Sequence, residues 1–409
     1  MGRCSIVALP QIVLKEYEMS ARTRKPYGGP AIFSYGFRPF FLAATVFLAG
    51  VIPVWILVFS GELDLNSTFA PVDWHIHEML FGYAAAVVAG FLFTAIPNWT
   101  GRMPIRGWPL AGLFGVWLLG RIAMNGAFGV SELVVMLVDC AFLSAIVVMI
   151  FIEIIAGKNW RNLMVLVPVS MLLVSNVLYH VEVQITGTSD YSRRMSIAVV
   201  IFLIMLIGGR VIPSFTRNWL VKSGSDSRPV PFNRFDGICL LSGVGAMGTW
   251  VVWPEALAVH LLLAAAAVLH MVRLSRWRGS SAWRSPLLVM LHVAYGFLPA
   301  GMLALAVLGP SAGMHLLGIG AIGGMTMAVM MRATMGHTGR ELVADGGLNT
   351  AFVLVVLAAI MRGLFGEVDV FGVSGIWVAA ALWSAAFGVF VMRVGPWLVR
   401  AKVAAKRVS

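Results

Sequence analysis

The sequence predicts an all-α protein that crosses a membrane many times, and three observations predict it. Of its 409 residues, 59% are hydrophobic and 12% charged, about half the charged share of a soluble globular domain. Apolar runs of about twenty residues, the length that spans a bilayer as a helix, recur along the whole chain. The connections between them are too short to hold a separate soluble domain.

Twelve spans follow from these runs, over 39–59, 77–97, 108–126, 132–156, 162–184, 195–214, 237–253, 255–274, 286–307, 313–334, 349–365 and 374–396. They make one transmembrane domain over 38–397, flanked by an N-terminal tail (1–37) and a basic C-terminal tail (398–409). A net charge of +12 would suit a nucleic-acid binder, but its distribution is that of membrane topology. Every Lys and Arg except Arg121, Arg193, Arg194 and Arg362 falls in the tails or in alternate loops. The positive-inside rule then places both termini in the cytoplasm, and no nucleic-acid partner is expected. The first 25 residues lack a small-residue cleavage site, so no signal peptide is expected. Cys4, Cys140 and Cys239 are isolated, which argues against a disulfide framework, an iron–sulfur cluster and c-type haem attachment.

This orientation gives each of the eight histidines a depth. His75 and His77 open the second span on the outer side, in DWHIHEMLFGY, and His180 ends the fifth on that side. His260 and His315 lie near the outer starts of the eighth and tenth spans. His270, His292 and His337 lie toward the cytoplasm. Ionisable groups inside spans are costly and mark function by default, which favours His77, His180, His292 and His315. His260 and His270 are assigned to the membrane interface. His315 and His337 stand 22 residues apart, roughly 33 Å along a helix, so they cannot share a centre. His75 and His77 point about 200° apart on an ideal helix and converge only if His75 belongs to the preceding loop. Glu78, three residues after His75, is placed to support it.

A repeat links three spans. The second ends IPNWTGR, the sixth IPSFTRN and the tenth GHTGR, and His77 and His315 each precede an arginine, Arg102 and Arg340, by 25 residues. We read three four-helix units with the second, sixth and tenth spans equivalent and central; chance similarity of short apolar helices is the competing explanation. The second span has Gly82, Ala84, Ala85, Ala86, Ala89 and Gly90, and the tenth Gly318, Gly320, Gly323 and Gly324. Small residues let helices pack closely, and they also leave room for a flat group. His77 and His315 are therefore expected to hold a b-type haem, while zinc or copper would accept the same imidazoles. Arg102, Arg217 and Arg340 are expected mainly to fix helix ends.

The strings HIHEMLFGYAAAVVAGFLFTAIPNWTGR, GGRVIPSFTRNWL, RSPLLVMLHVAYGFLPAG and MHLLGIGAIGGMTMAVMMRATMGHTGREL resemble the NnrS family. The resemblance extends over about 370 residues. It implies a bacterial inner-membrane protein that contains haem and copper and is linked to denitrification or to nitrosative stress. It covers His75, His77, Glu78, Asn98, Arg102, Arg210, Arg217, Asn218, His292, His315, His337 and Arg340, without saying which histidine binds what. The layout also resembles the catalytic subunit of haem–copper oxidases and nitric oxide reductases, although the sixth and seventh spans lack the histidines of its second metal site.

Reduction of nitric oxide to nitrous oxide is the activity these expectations favour. It would use one or two haems b, with His292 and His337 available to an inner centre. A second metal, copper included, would draw on His75, His77, His180 and His315. Glu78, Glu182 and Asp139, with Asp73, are the candidate proton groups, and a quinol or external carrier supplies electrons. The alternatives are a non-catalytic nitric-oxide binder that protects against nitrosative stress, and a metal or small-anion transporter.

Overall fold

The computed structural model describes residues 27–403 apart from 128, 159 and 371. The first 26 residues, the last six, and the side chains of Asn98, Trp99, Arg161 and Asn162 lie outside the described residues. Twelve helical rods carry the chain: α1 (Phe37–Phe59), α2 (Pro71–Thr100), α3 (Trp108–Met124), α4 (Glu132–Ala156), α5 (Leu166–Thr186) and α6 (Asp190–Lys222), then α7 (Arg234–Val252), α8 (Leu257–Ser275), α9 (Pro286–Val307), α10 (Pro310–Thr338), α11 (Gly346–Leu364) and α12 (Gly375–Val399). Among the described residues, eleven helices are long and apolar enough to cross a membrane; α3, with 17 residues, is shorter. A two-stranded hairpin, β1 (Asp369–Val370) with β2 (Val373–Ser374), joins α11 to α12. The protein is therefore an all-α integral membrane protein.

Several helices begin earlier than their apolar runs. Pro71 occupies the first turn of α2 and Pro310 that of α10, where the missing amide hydrogen costs nothing and the fixed φ favours a helix. The histidines expected at helix mouths thus sit one or more turns inside. His75 belongs to the helix and not to the loop before it.

Three helices widen locally into π-helix, in which the backbone bonds skip one residue further. The segments are Glu78–Ala84 in α2, Ile204–Gly208 in α6 and Leu316–Gly323 in α10. His77 and His315 each directly precede one. Carbonyls inside all three accept side-chain donors: Trp117 Nε1 reaches Gly82 O at 2.8 Å, Arg273 reaches Met205 O at 3.0 Å, and Thr326 Oγ1 bonds Ile322 O at 2.7 Å. Lipid offers no hydrogen bonds, so backbone groups released by a wide turn must be satisfied from within.

Neighbouring helices pack in chain order, and α12 also packs against α1, closing the bundle. Helices α2, α6 and α10 meet inside it around an apolar cavity lined by Ala84, Val88, Val200, Ile207, Gly208 and Met325, among others. The Tyr83 and Thr326 hydroxyls are hydrogen-bonded to each other across α2 and α10.

Glycines set how closely the rods approach. A Cβ on Gly320 would fall inside contact distance of the Phe297 ring on α9, whereas one on Gly388 of α12 would meet nothing within 4 Å. Gly320→Leu is expected to destabilise the protein by about 1–3 kcal/mol through overpacking, while Gly388→Ala should be neutral or stabilising. Thermal unfolding of both variants in one detergent checks the contrast.

Candidate functional site

The first residues of α2 organise a polar cluster inside the bundle. One helical turn carries two imidazoles and a carboxylate, and two positions of separation send the imidazoles to different sides. His77 faces α4 and α5, where its Nε2 lies 3.0 Å from Asn176 Oδ1 and 3.2 Å from Asp139 Oδ2. Its Nδ1 lies 3.3 Å from Glu78 Oε1. His180 Nε2 is also 3.2 Å from Asp139 Oδ2, and Asn176 Nδ2 donates to that oxygen at 2.8 Å. Arg121, on α3, bridges both acids by donating to Glu78 Oε1 and Asp139 Oδ1.

All six residues are buried, Arg121 being 5% exposed and His77 and Glu78 fully enclosed. Phe69, Phe81 and Tyr179 pack their rings around His77, with centroids 4.9–5.4 Å away, and exclude water from it. One positive guanidinium faces two carboxylates, so a further positive charge on or between the imidazoles makes the cluster neutral. An imidazolium at His77, whose ring nitrogens all face acceptors, meets that requirement; so does a metal cation. His77, Asp139 and His180 each offer a ligand atom, all within 4.8 Å of one another. Two imidazoles with one carboxylate suit zinc, copper or iron. Glu78 Oε2 remains buried without a partner.

His75 points the other way. Its ring stacks on Trp55 at 4.5 Å and 14°, and it lies within electrostatic reach of His315 and Arg362. The structure thus brings His75, and not His77, toward His315. His315 Nδ1 donates to Ser311 O at 2.7 Å, which leaves Nε2 as the lone-pair nitrogen of a neutral ring. His75 Nδ1 is buried without a partner. Beyond His315, a Cβ on Gly318 would meet nothing within 4 Å. Two imidazoles on neighbouring helices, an orphaned ring nitrogen and open space one turn away fit a flat group such as a haem.

The other candidates stand apart. Glu78 supports His77 and Arg121, not His75 as its spacing had led us to expect, because His75 turns to the opposite face. Glu182 accepts the Tyr191 and Ser192 amides at 2.8 and 2.7 Å and so caps α6. Asp73 accepts from the Ser189 hydroxyl and amide, and Tyr179 donates to its carbonyl at 2.9 Å. His292 Nδ1 donates to Leu288 O at 2.8 Å. His337, at the far end of α10 from His315, packs by Tyr35 and Phe37; the structure does not join it to His292.

Sequence reasoning overlooked four participants. Arg121 was set apart only as one of four basic residues on the outer side, although its place within the third apolar run was a signal. Asn176 lies one turn before His180, a spacing that could have been noticed. His270, assigned to the interface, is buried with Nδ1 2.8 Å from the Tyr295 hydroxyl and Nε2 3.0 Å from Cys239 O. Arg273 is fully buried and donates to Asp236 at 3.1 Å and to Tyr295 at 3.0 Å. Partners on other helices decide both last cases, and spacing does not reveal them.

The family model described as NnrS protein matches residues 31–402. No curated protein matches the chain.

Arg121→Leu leaves Glu78 and Asp139 buried without their cation. Breaking one partner from a buried ion pair costs about 3–5 kcal/mol, so this variant should show a strongly lowered unfolding temperature or fail to accumulate in membranes. Removing both acids as well, in Arg121→Leu/Glu78→Gln/Asp139→Asn, should recover part of that loss; a triple variant no more stable than the single one would contradict the electrostatic account.

Proposed function

The chain belongs to the NnrS family, and from that membership we propose an integral membrane haem protein that binds nitric oxide and reduces it to nitrous oxide. The observation that carries the reading is that His75, with a buried ring nitrogen lacking a partner, faces His315 within electrostatic reach, beside a second, separate donor set made by His77, Asp139 and His180. We assign the first pair to a haem b and the second set to a metal, copper being the one the family resemblance implies. Three four-helix units, with α2, α6 and α10 equivalent, are the architecture we propose for the twelve crossings. The placement of the three wide turns and the contacts closing α12 on α1 support it.

A bound haem supplies a redox-active iron able to bind nitric oxide. The rest of the chemistry falls to the chain. Two molecules of nitric oxide, two electrons and two protons give one nitrous oxide and one water. Nitric oxide is small and apolar, and the cavity between α2, α6 and α10 is lined by apolar side chains except for Thr326, so the bundle offers it a dry passage at mid-depth. Protons need the opposite environment. With His77, Asp139 and His180 given to the metal, Glu78, whose Oε2 has no partner, is the buried acid left to carry a proton, and Arg121 holds both carboxylates in place. Electrons enter from a quinol or an external carrier, and the loop pattern of Lys and Arg supports a bacterial inner-membrane protein with both termini in the cytoplasm.

A second reading has its own support. The cluster around Asp139 is charge-balanced without a metal when His77 is protonated, which suits a protein that captures nitric oxide without turning it over. A transporter has less in its favour, since its repeats usually bring discontinuous helices to a midplane site and the histidine cluster here lies near one end of α2.

Haem content separates the two histidines of α2. His75→Ala and His315→Ala should each abolish or greatly reduce the Soret absorbance of the purified protein, while His77→Ala and His180→Ala retain haem and lose bound copper by elemental analysis. Haem retained in His75→Ala but lost in His77→Ala would reverse the assignment.

Turnover separates enzyme from binder. Haem-loaded protein with a chemical reductant should form nitrous oxide in amounts many times its haem, and Glu78→Gln, which leaves the three metal donors in place, should slow this by about 10²–10⁴-fold. Consumption of nitric oxide that stops at one equivalent per haem would sink the reductase reading.

A further inference from the structure

The end of the bundle that holds the start of α1 and the last turns of α10 and α12 carries a second feature, remote from the histidine cluster. Arg38 is 3% exposed. One of its terminal nitrogens donates to the carbonyls of Trp397, Leu398 and Arg400 at 3.3, 2.8 and 2.7 Å, which satisfies the last orphan groups of α12. The chain beyond α12 folds back, and the Val403 amide donates to Thr338 O at 3.0 Å. Gly339, at φ 76°, makes the turn against which this segment lies.

That return gathers cations from three parts of the sequence. Arg340 lies within electrostatic reach of Arg38 and of Arg400, and Lys402 within reach of His337. The nearby acids do not answer them. Asp345 is paired with Arg393, and Glu341 is exposed and has no ion pair among the described residues. Arg340 instead sits over the Trp397 ring at 4.8 Å. Its Nη1, and Nε of the enclosed Arg38, are buried with no hydrogen-bond partner.

Like charges held together without a counter-ion repel one another, and they repel most where the surroundings are least polar. A fixed backbone framework that maintains such a group, with two guanidinium nitrogens in it lacking partners, calls for an anion. The depth identifies its source. Trp397 and Tyr35 flank the group, and Trp and Tyr rings concentrate at the headgroup level of a bilayer. We propose that Arg38, Arg340, Arg400 and Lys402 form a binding site for the phosphate of an anionic phospholipid headgroup. A guanidinium matches phosphate oxygens with two parallel hydrogen bonds, and basic pockets between spans are a known means of holding such lipids. A lipid seated here ties the C-terminal segment to the end of α10. The site is independent of the haem and nitric oxide reading.

The test uses the full chain purified in detergent and stripped of lipid, with dioleoylphosphatidylglycerol and dioleoylphosphatidylcholine as probes and native mass spectrometry as the readout. The wild type should retain phosphatidylglycerol about tenfold better than phosphatidylcholine, and Arg340→Gln/Lys402→Gln should lose most of that preference. Both substituted residues lie outside the spans, and Arg38, which caps α12, is left intact. Equal retention of the two lipids by the wild type would overturn the proposal, as would a double variant that keeps its preference. Millimolar inorganic phosphate should not displace the lipid; if it binds instead, the site takes free phosphate and the lipid assignment fails. Loss of haem from the double variant, with lipid retention unchanged, would show that the cations serve haem propionates.

Discussion

A guanidinium enclosed between two carboxylates, inside a bundle built to sit in lipid, is the interaction on which the rest of this structure depends. Arg121 is bonded to Glu78 and Asp139, and each acid also meets an imidazole. No water is available at that depth to replace a missing partner, so each member must be supplied by another helix. Four helices, α2 through α5, are held in register by this requirement. Asn176 closes the set by accepting at His77 and donating to Asp139. Such a cluster adds little net stability over an apolar core, because the cost of removing charges from water offsets their attraction.

The wide turns of α2, α6 and α10 belong to the same economy of polar groups. A π segment adds a residue to a turn and redirects every side chain after it, and such segments often accompany functional sites. Here each is held by a donor that reaches its carbonyls: an indole, a guanidinium and a hydroxyl. The helices that carry them also line the apolar cavity. Polar chemistry is thereby kept at the ends of these helices, and their middle faces remain dry.

The spacing of His75 and His77 turns one short stretch into two sites. On one side of α2, His75 rests on Trp55 and approaches His315; on the other, His77 enters the acid cluster. Neither histidine could take the other's part without unwinding the helix. The separation keeps His75, stacked on Trp55, apart from the charged group around His77, with Glu78 serving only the second.

Much of the architecture was legible in the residues alone. Apolar runs of bilayer length are imposed by the solvent the helix must cross, so a polytopic helical bundle was expected from composition and length; of the twelve spans expected, eleven of the described helices are long and apolar enough to cross. The divergence of His75 and His77 was also legible, since helical geometry fixes the angle between neighbours. The partners were not. His75, and not His77, lies within electrostatic reach of His315, Glu78 turns to Arg121, and His270 and Arg273 form a buried network with Tyr295 and Asp236. Periodicity describes one helix at a time, whereas these choices depend on how separate helices rotate and slide against one another. Only tertiary packing sets those rotations, because in lipid each buried polar atom must find its match across a helix boundary.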